Sequence, residues 1–221
     1  YNGIILPSVW PPKNINISSY EPMNVPYLQT PPEVVPIDVG RQLFFDNFLI
    51  ANTDLERKFY KPKKYAQNPI LKPETALETS NIPGASAKDG GVWWEPREQI
   101  FKMWYEAGWL NKMAYATSND GVNWVRPDLN NGSNELLTLS RFPANSCAVV
   151  LDYEASDNER YKMFLRSPNA DATDNAGYCM ISSNGKQWSW FTKTGPCGDR
   201  STMFYNPFRK KWVFSIRTLG V

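Results

Sequence analysis

Two aspartates stand directly ahead of apolar segments in this chain: Asp89 before Gly90–Trp94, and Asp199 before Thr202–Tyr205. Two carboxyl groups on either side of a bound molecule can serve as acid and base, or as acid and nucleophile, with no histidine and no cofactor. Arg200, beside Asp199, can hold a carboxylate bidentately or donate to hydroxyl groups. The intervening segment Arg141–Ser146 carries no carboxylate, but Arg141 and Asn145 can both hydrogen-bond a polar ligand. Each has a plainer reading. Asp89 can cap a Gly-Gly bend, Asp199 and Arg200 can form a structural pair, and Glu95, beside Pro96, reads as a solvated turn residue. Asp152 and Glu154 read as structural turn residues.

The composition removes competing chemistries. The 221 residues contain no histidine, which excludes Ser-His-Asp and Cys-His catalysis, HExxH zinc sites and His-ligated metal or haem. Lys+Arg 24 against Asp+Glu 22 leaves a net charge of +2, too small to indicate a nucleic-acid binder. The three cysteines match no zinc pattern, so no metal is expected. They allow one disulfide at most, Cys179 with Cys197; three buried apolar thiols is the favoured reading. No apolar run is long enough to span a membrane. The chain starts at Tyr1, so a processed or trimmed product is expected, its signal peptide already removed.

The elements that would position these groups are strands. Residues 1–40 carry eight of the 18 prolines and little charge, which forbids a helix and predicts an extended arm. From residue 41 the pattern is β, with strands expected over Arg41–Ile50, Leu55–Lys61 and the proline-bounded Asn68–Lys72. Internal repetition is stronger evidence. Lys102-Met103-Trp104 recurs as Lys162-Met163-Phe164, 60 residues on, and S-x-[DN]-G-x-x-W occurs at Ser118–Trp124 and, 64 residues on, at Ser182–Trp188. Asp120-Gly121 and Asn184-Gly185 suit turns that need positive φ. A repeat of this length with four strands per copy predicts propeller blades at about 88–124 and 146–188, with a third beginning over 199–217. The alternative is a β-sandwich with two similar hairpins. A ring needs at least four blades, so the front part of a larger propeller is expected, completed by the same or another chain.

The string GGVWWEPREQIFKMWYEAGW, with YATSNDGVNW behind it and NPIL ahead, resembles the five-bladed β-propeller glycoside hydrolases, the superfamily of families 32, 43, 68 and 117. The stretches VGRQLFxDxxLI (Val39–Ile50) and GDRxxxxYNPFxxKW (Gly198–Trp212) are similar to a bacterial glycosidase-like branch. The resemblance covers about residues 38–221. It implies a secreted or periplasmic protein acting on plant- or microbe-derived oligo- or polysaccharide. It casts Asp89 as general base or nucleophile and Asp199 as the residue that stabilises the transition state or tunes the acid. Arg200, Arg141, Asn145 and Trp109 become candidate sugar contacts, Trp109 through C–H/π stacking. Related sequences carry an acidic residue after the equivalent of Arg141, and Phe142 departs from that. The family's general acid is a Glu on a later blade, and residues 204–221 offer no Asp or Glu. A non-catalytic sugar-binding propeller is the alternative. A propeller for protein contacts, or a sialidase suggested by S-x-D-G-x-x-W, ranks below both.

Overall fold

The computed structural model describes residues 8–9, 13, 16, 19, 21, 29–38, 42–80, 82–87, 89, 91–140, 147–166, 176–207 and 209–217. The chain divides into two compact units, 1–62 and 63–221. Most of the proline-rich arm expected over 1–40 lies outside the described residues.

The described residues of the first unit form bends and turns. Arg57 Nη2 donates to Asn47 Oδ1 at 2.7 Å, and Leu43, Phe44, Phe45, Leu55, Phe59 and Tyr60 are exposed. The strands expected over Arg41–Ile50, Leu55–Lys61 and Asn68–Lys72 are not formed among the described residues. Apolar alternation proposes a strand, but only a ladder partner makes one. None of the described residues supplies that partner.

Among the described residues the second unit is all-β, with one short α-helix, α1 (Ala76–Thr79), and two 3-10 turns, Leu137–Leu139 and Asp157–Glu159. Its strands are β1 (Ala85–Ser86), β2 (Val92–Glu95), β3 (Ile100–Ala107), β4 (Lys112–Ser118), β5 (Cys147–Leu151), β6 (Tyr161–Arg166), β7 (Ala176–Ser182), β8 (Ser189–Pro196), β9 (Thr202–Asn206) and β10 (Lys211–Ser215). All pairings are antiparallel. In the first sheet β3 is flanked by β4 on one edge and by both β1 and β2 on the other. The second sheet is a four-stranded meander, β5-β6-β7-β8, and β9 and β10 form a hairpin. The first strands of the three sheets are neighbours: β5 packs against β2 on one side and β9 on the other. Successive antiparallel sheets with their leading strands side by side at a hub are the blades of a β-propeller.

Strand chemistry follows from position in this stack. β5 (CAVVL) is buried along its whole length, because it lies between two other sheets, so it reads as a continuous apolar run. β2 alternates instead. Trp93 and Glu95 turn toward the second sheet, while Val92 and Trp94 are 45% and 40% exposed on the other face. Between the first two sheets Trp104 packs on Tyr115, Tyr161 and Trp188, its ring centroid 5.5 Å from that of Tyr161. Between the second and third, Val150, Phe164 and Met203 share a cluster that Trp212 joins, and Phe164 meets Phe214 edge to face. The cysteines are free thiols, with Cys147 and Cys197 buried; the Cys179–Cys197 disulfide is not formed.

Both copies of the repeated turn have one construction. The Ser118 hydroxyl accepts from Gly121 N at 2.9 Å, and Asp120 Oδ1 accepts from Val122 N and Asn123 N. Ser182 and Asn184 do the same for Gly185, Lys186 and Gln187. Gly121 and Gly185 sit at φ 75° and 77°, where a side chain is strained. The two turns lead into different structure. The second enters the full strand β8, whereas the first enters only an isolated bridge between Thr117 and Val125.

Candidate functional site

Asp89 stands where the inner edge of the first sheet leaves its ladder. Ser86 opposes Glu106 and Val92 opposes Met103. Three more residues separate Ser86 from Val92 than separate Met103 from Glu106, so Asp89, midway, is looped out of the pairing. Its Oδ2 is buried and has no hydrogen-bond partner among the described residues. Asp89 lies close enough to Cys147, the first residue of β5, to act on it. Burial pushes the Cys147 thiol pKa up, and the Asp89 charge adds to the rise. An inner-edge carboxylate at the leading ends of β2 and β5, with an oxygen not spent on structure, can take a proton or attack an electrophilic carbon.

Asp199 also precedes the first strand of its sheet, by the same three residues. It is not free. Arg217 Nη1 pairs with Asp199 Oδ1. The surrounding backbone fixes that pair, since Gly198 N donates to Arg217 O at 2.7 Å and Arg217 N donates to Ser201 Oγ at 3.0 Å. Sequence reasoning offered Arg200 as the neighbour and missed Arg217. The signal was available, because the β9–β10 register, with Thr202 opposite Ser215, carries Arg217 back beside residues 198–201. Arg200 itself has a left-handed backbone, φ 61°, and engages a partner of its own. Trp109 lies in the β3–β4 turn, at the same end of the first sheet as Asp89, 47% exposed, with its backbone N–H bonded to Ile82 O. Arg141 and Asn145 fall outside the described residues.

Glu95 corrects the expectation of a solvated turn residue: it is 1% exposed. Arg160 grips both its oxygens, Nε to Oε2 at 2.8 Å and Nη2 to Oε1 at 2.5 Å, and the Tyr161 hydroxyl donates to Oε2 at 2.6 Å. Burial would raise the Glu95 pKa, but these donors and Arg97 N outweigh it and hold the carboxyl at about 2. Lys102, also 1% exposed, extends the network by donating to Tyr161 OH and Glu98. Glu95 therefore joins the first sheet to the second and has no lone pair to spare for a ligand.

Glu78 is a second buried carboxylate, absent from the sequence reading. It closes a capping box with Thr75 and accepts from Arg126 Nε and Tyr105 OH, both at 2.6 Å. Burial again opposes ionisation, and the Arg126, backbone and Tyr105 donors bring the pKa to about 2. Thr75-x-x-Glu78 was the legible signal for the cap; Arg126, 48 residues away, was not.

No protein-family profile matches the chain, and no curated protein matches it in sequence. Two solved structures share part of its fold. A fructofuranosidase from Schwanniomyces occidentalis, complexed with fructose, is 15% identical, with 57% of this chain and 28% of that one covered and a TM-score of 0.41. An exo-β-1,3-galactanase from Phanerochaete chrysosporium, with β-1,3-galactotriose, is also 15% identical, with 62% and 33% covered and a TM-score of 0.39. Both are five-bladed β-propeller glycoside hydrolases, of the superfamily that the sequence motifs resemble. The chain spans a third or less of their length.

Proposed function

We propose that the chain is the leading part of a five-bladed propeller glycosidase, secreted or periplasmic, that cleaves plant- or microbe-derived oligo- or polysaccharide. Asp89 acts as general base or nucleophile. The observation that carries this reading is the buried Oδ2 of Asp89, without a partner among the described residues and looped out at the leading end of the inner strand. Glycoside cleavage asks for a carboxylate so placed, with a second carboxyl supplied across the sugar. Asp199, oriented by Arg217, suits a supporting electrostatic role, because the oxygen that pairs with Arg217 is already engaged. The general acid belongs to a blade beyond this chain, and Trp109 contributes a stacking surface.

A second reading is a propeller that binds sugar without cleaving it. It is favoured by Asp199 being committed to Arg217, which leaves Asp89 as the one unspent carboxylate identified at that end. Hydrolysis of a panel of aryl furanosides and pyranosides by the protein and by Asp89→Asn separates the two. Loss of about 100-fold or more in kcat in the variant, with an unchanged melting temperature, is the expected result. Equal cleavage by both proteins removes Asp89 from the mechanism. Binding without cleavage by either selects the second reading.

A further inference from the structure

The geometry points to a second saccharide-binding site, on the flank of the first sheet and with no contribution from Asp89. A cavity of about 320 Å³ there is lined by Tyr65, Gln67, Lys72, Glu74, Asn123 and Trp124, among others. That volume lies at the lower end of ordinary small-molecule sites. Val122–Trp124 come after the end of β4, whose Ser118 pairs with Phe101, which in turn pairs with Trp94. The cavity is therefore at the trailing end of the sheet, and Asp89 is ahead of the leading end. The strands β2, β3 and β4 lie between them across the sheet, and Asp89 is not part of the cavity wall.

The lining chooses the ligand class. Tyr65 and Trp124 bring two aromatic rings, the flat apolar surface that the C–H face of a sugar ring covers. The polar groups around them are mixed in kind. Gln67 Oε1 is taken by Tyr65 OH at 2.8 Å, which leaves the amide N–H groups as donors, and Lys72 Nζ adds another. Asn123 Nδ2 is taken by Asp120 Oδ2 at 2.7 Å, which leaves its carbonyl as an acceptor. Glu74 uses Oε2 for Arg126, so Oε1 is a further acceptor. Hydroxyl groups, each both donor and acceptor, match such a set.

An anion does not fit. Arg126 in the wall spends three of its five N–H donors inside the protein, Nε on Glu78, Nη1 on Glu74 and Nη2 on Lys72 O at 2.6 Å, and the buried Glu78 matches its charge. The remaining Lys72 charge is matched by Glu74 on the same wall. A neutral carbohydrate, held beside the hub and not in it, is the occupant this wall selects. Such a site keeps a polymer on the protein between encounters with Asp89, and its binding stands whether or not Asp89 catalyses.

Native affinity electrophoresis through gels containing galactan, arabinan, levan, xylan or polygalacturonate tests the site. The full chain is compared with the Tyr65→Ala/Gln67→Ala double variant and with Asp89→Asn. Retardation by at least one neutral polymer is expected for the full chain and for Asp89→Asn, with affinity at least fivefold weaker in the double variant. Melting temperature is unchanged in the double variant, since Tyr65 is exposed. Four results overturn the inference: no retardation by any neutral polymer, full binding by the double variant, binding lost only in Asp89→Asn, or preference for polygalacturonate. The readout is binding, so failure of the hydrolysis assay leaves it intact.

Discussion

The two ends of β2 carry carboxylates in opposite condition. At the trailing end Glu95 is sealed from solvent, and its oxygens are saturated by Arg160, Tyr161 and Arg97 N. At the leading end Asp89 keeps a buried oxygen with no described partner. A buried polar atom left unpaired costs about 1–3 kcal/mol, so a fold tolerates it where the atom has another use. Four hydrogen bonds mark Glu95 as part of the framework between the first two sheets. The Asp89 oxygen, with no partner among the described residues, takes no part in that framework.

Breaking that comparison begins with Glu95→Ala. It strands the Arg160 guanidinium in the junction and is expected to cost about 3–5 kcal/mol in urea unfolding. Asp89→Ala should cost less than Glu95→Ala, under about 1 kcal/mol, because the buried Oδ2 it removes has no hydrogen-bond partner among the described residues. Equal losses would make the two ends alike. Acid titration sharpens the same contrast. The folded pKa values of Glu95 and Glu78, about 2, lie below the ordinary 4.5. Each therefore contributes stability that is fully present above about pH 4.5 and lost as pH falls toward 2, roughly 3 kcal/mol apiece. Glu95→Gln should flatten the stability profile across that window, and an unchanged slope would deny Glu95 its place in the network.

The repeated turn offers smaller effects. A Cβ on Gly185 would meet Trp104 Cζ2 at 2.4 Å, whereas one on Gly121 would sit 3.7 Å from Phe101. Gly185→Ala should cost about 2–3 kcal/mol in thermal unfolding, combining left-handed strain with overpacking against a core tryptophan. Gly121→Ala should cost about 1 kcal/mol, from backbone strain alone. A reversed order would show that the second turn does not wedge between sheets. Ser118→Ala, which removes the hydroxyl that ties Gly121 N, should cost about 0.5–1.5 kcal/mol by the same measurement.

Much of the fold was legible because it is local. The S-x-[DN]-G-x-x-W turns are built from side chains within a few residues of the backbone groups they bind, so spacing alone revealed both copies. The Lys-Met-aromatic repeat likewise announced the second strand of each blade, Lys102-Met103-Trp104 in β3 and Lys162-Met163-Phe164 in β6. The readings that failed depended on partners. Arg41–Ile50 has a strand's composition and no described strand to pair with, and Glu95 looked like a turn residue until Arg160, 65 positions later, folded onto it.

By itself the sequence determined the all-β class, the repeat and its turn chemistry, the absence of histidine chemistry and, Glu78 apart, the carboxylates worth considering. These stem from composition and short-range geometry, which the chain carries wherever it goes. Only tertiary structure decided which carboxylates are spent. Glu95 and Glu78 are neutralised by arginines brought from distant parts of the chain, Asp199 is claimed by Arg217 across a hairpin, and Asp89 keeps an oxygen with no partner among the described residues. The physical reason is that the charge state and availability of a buried carboxyl are set by whatever stands within hydrogen-bond reach, and that is fixed by how sheets stack, not by neighbours in the chain.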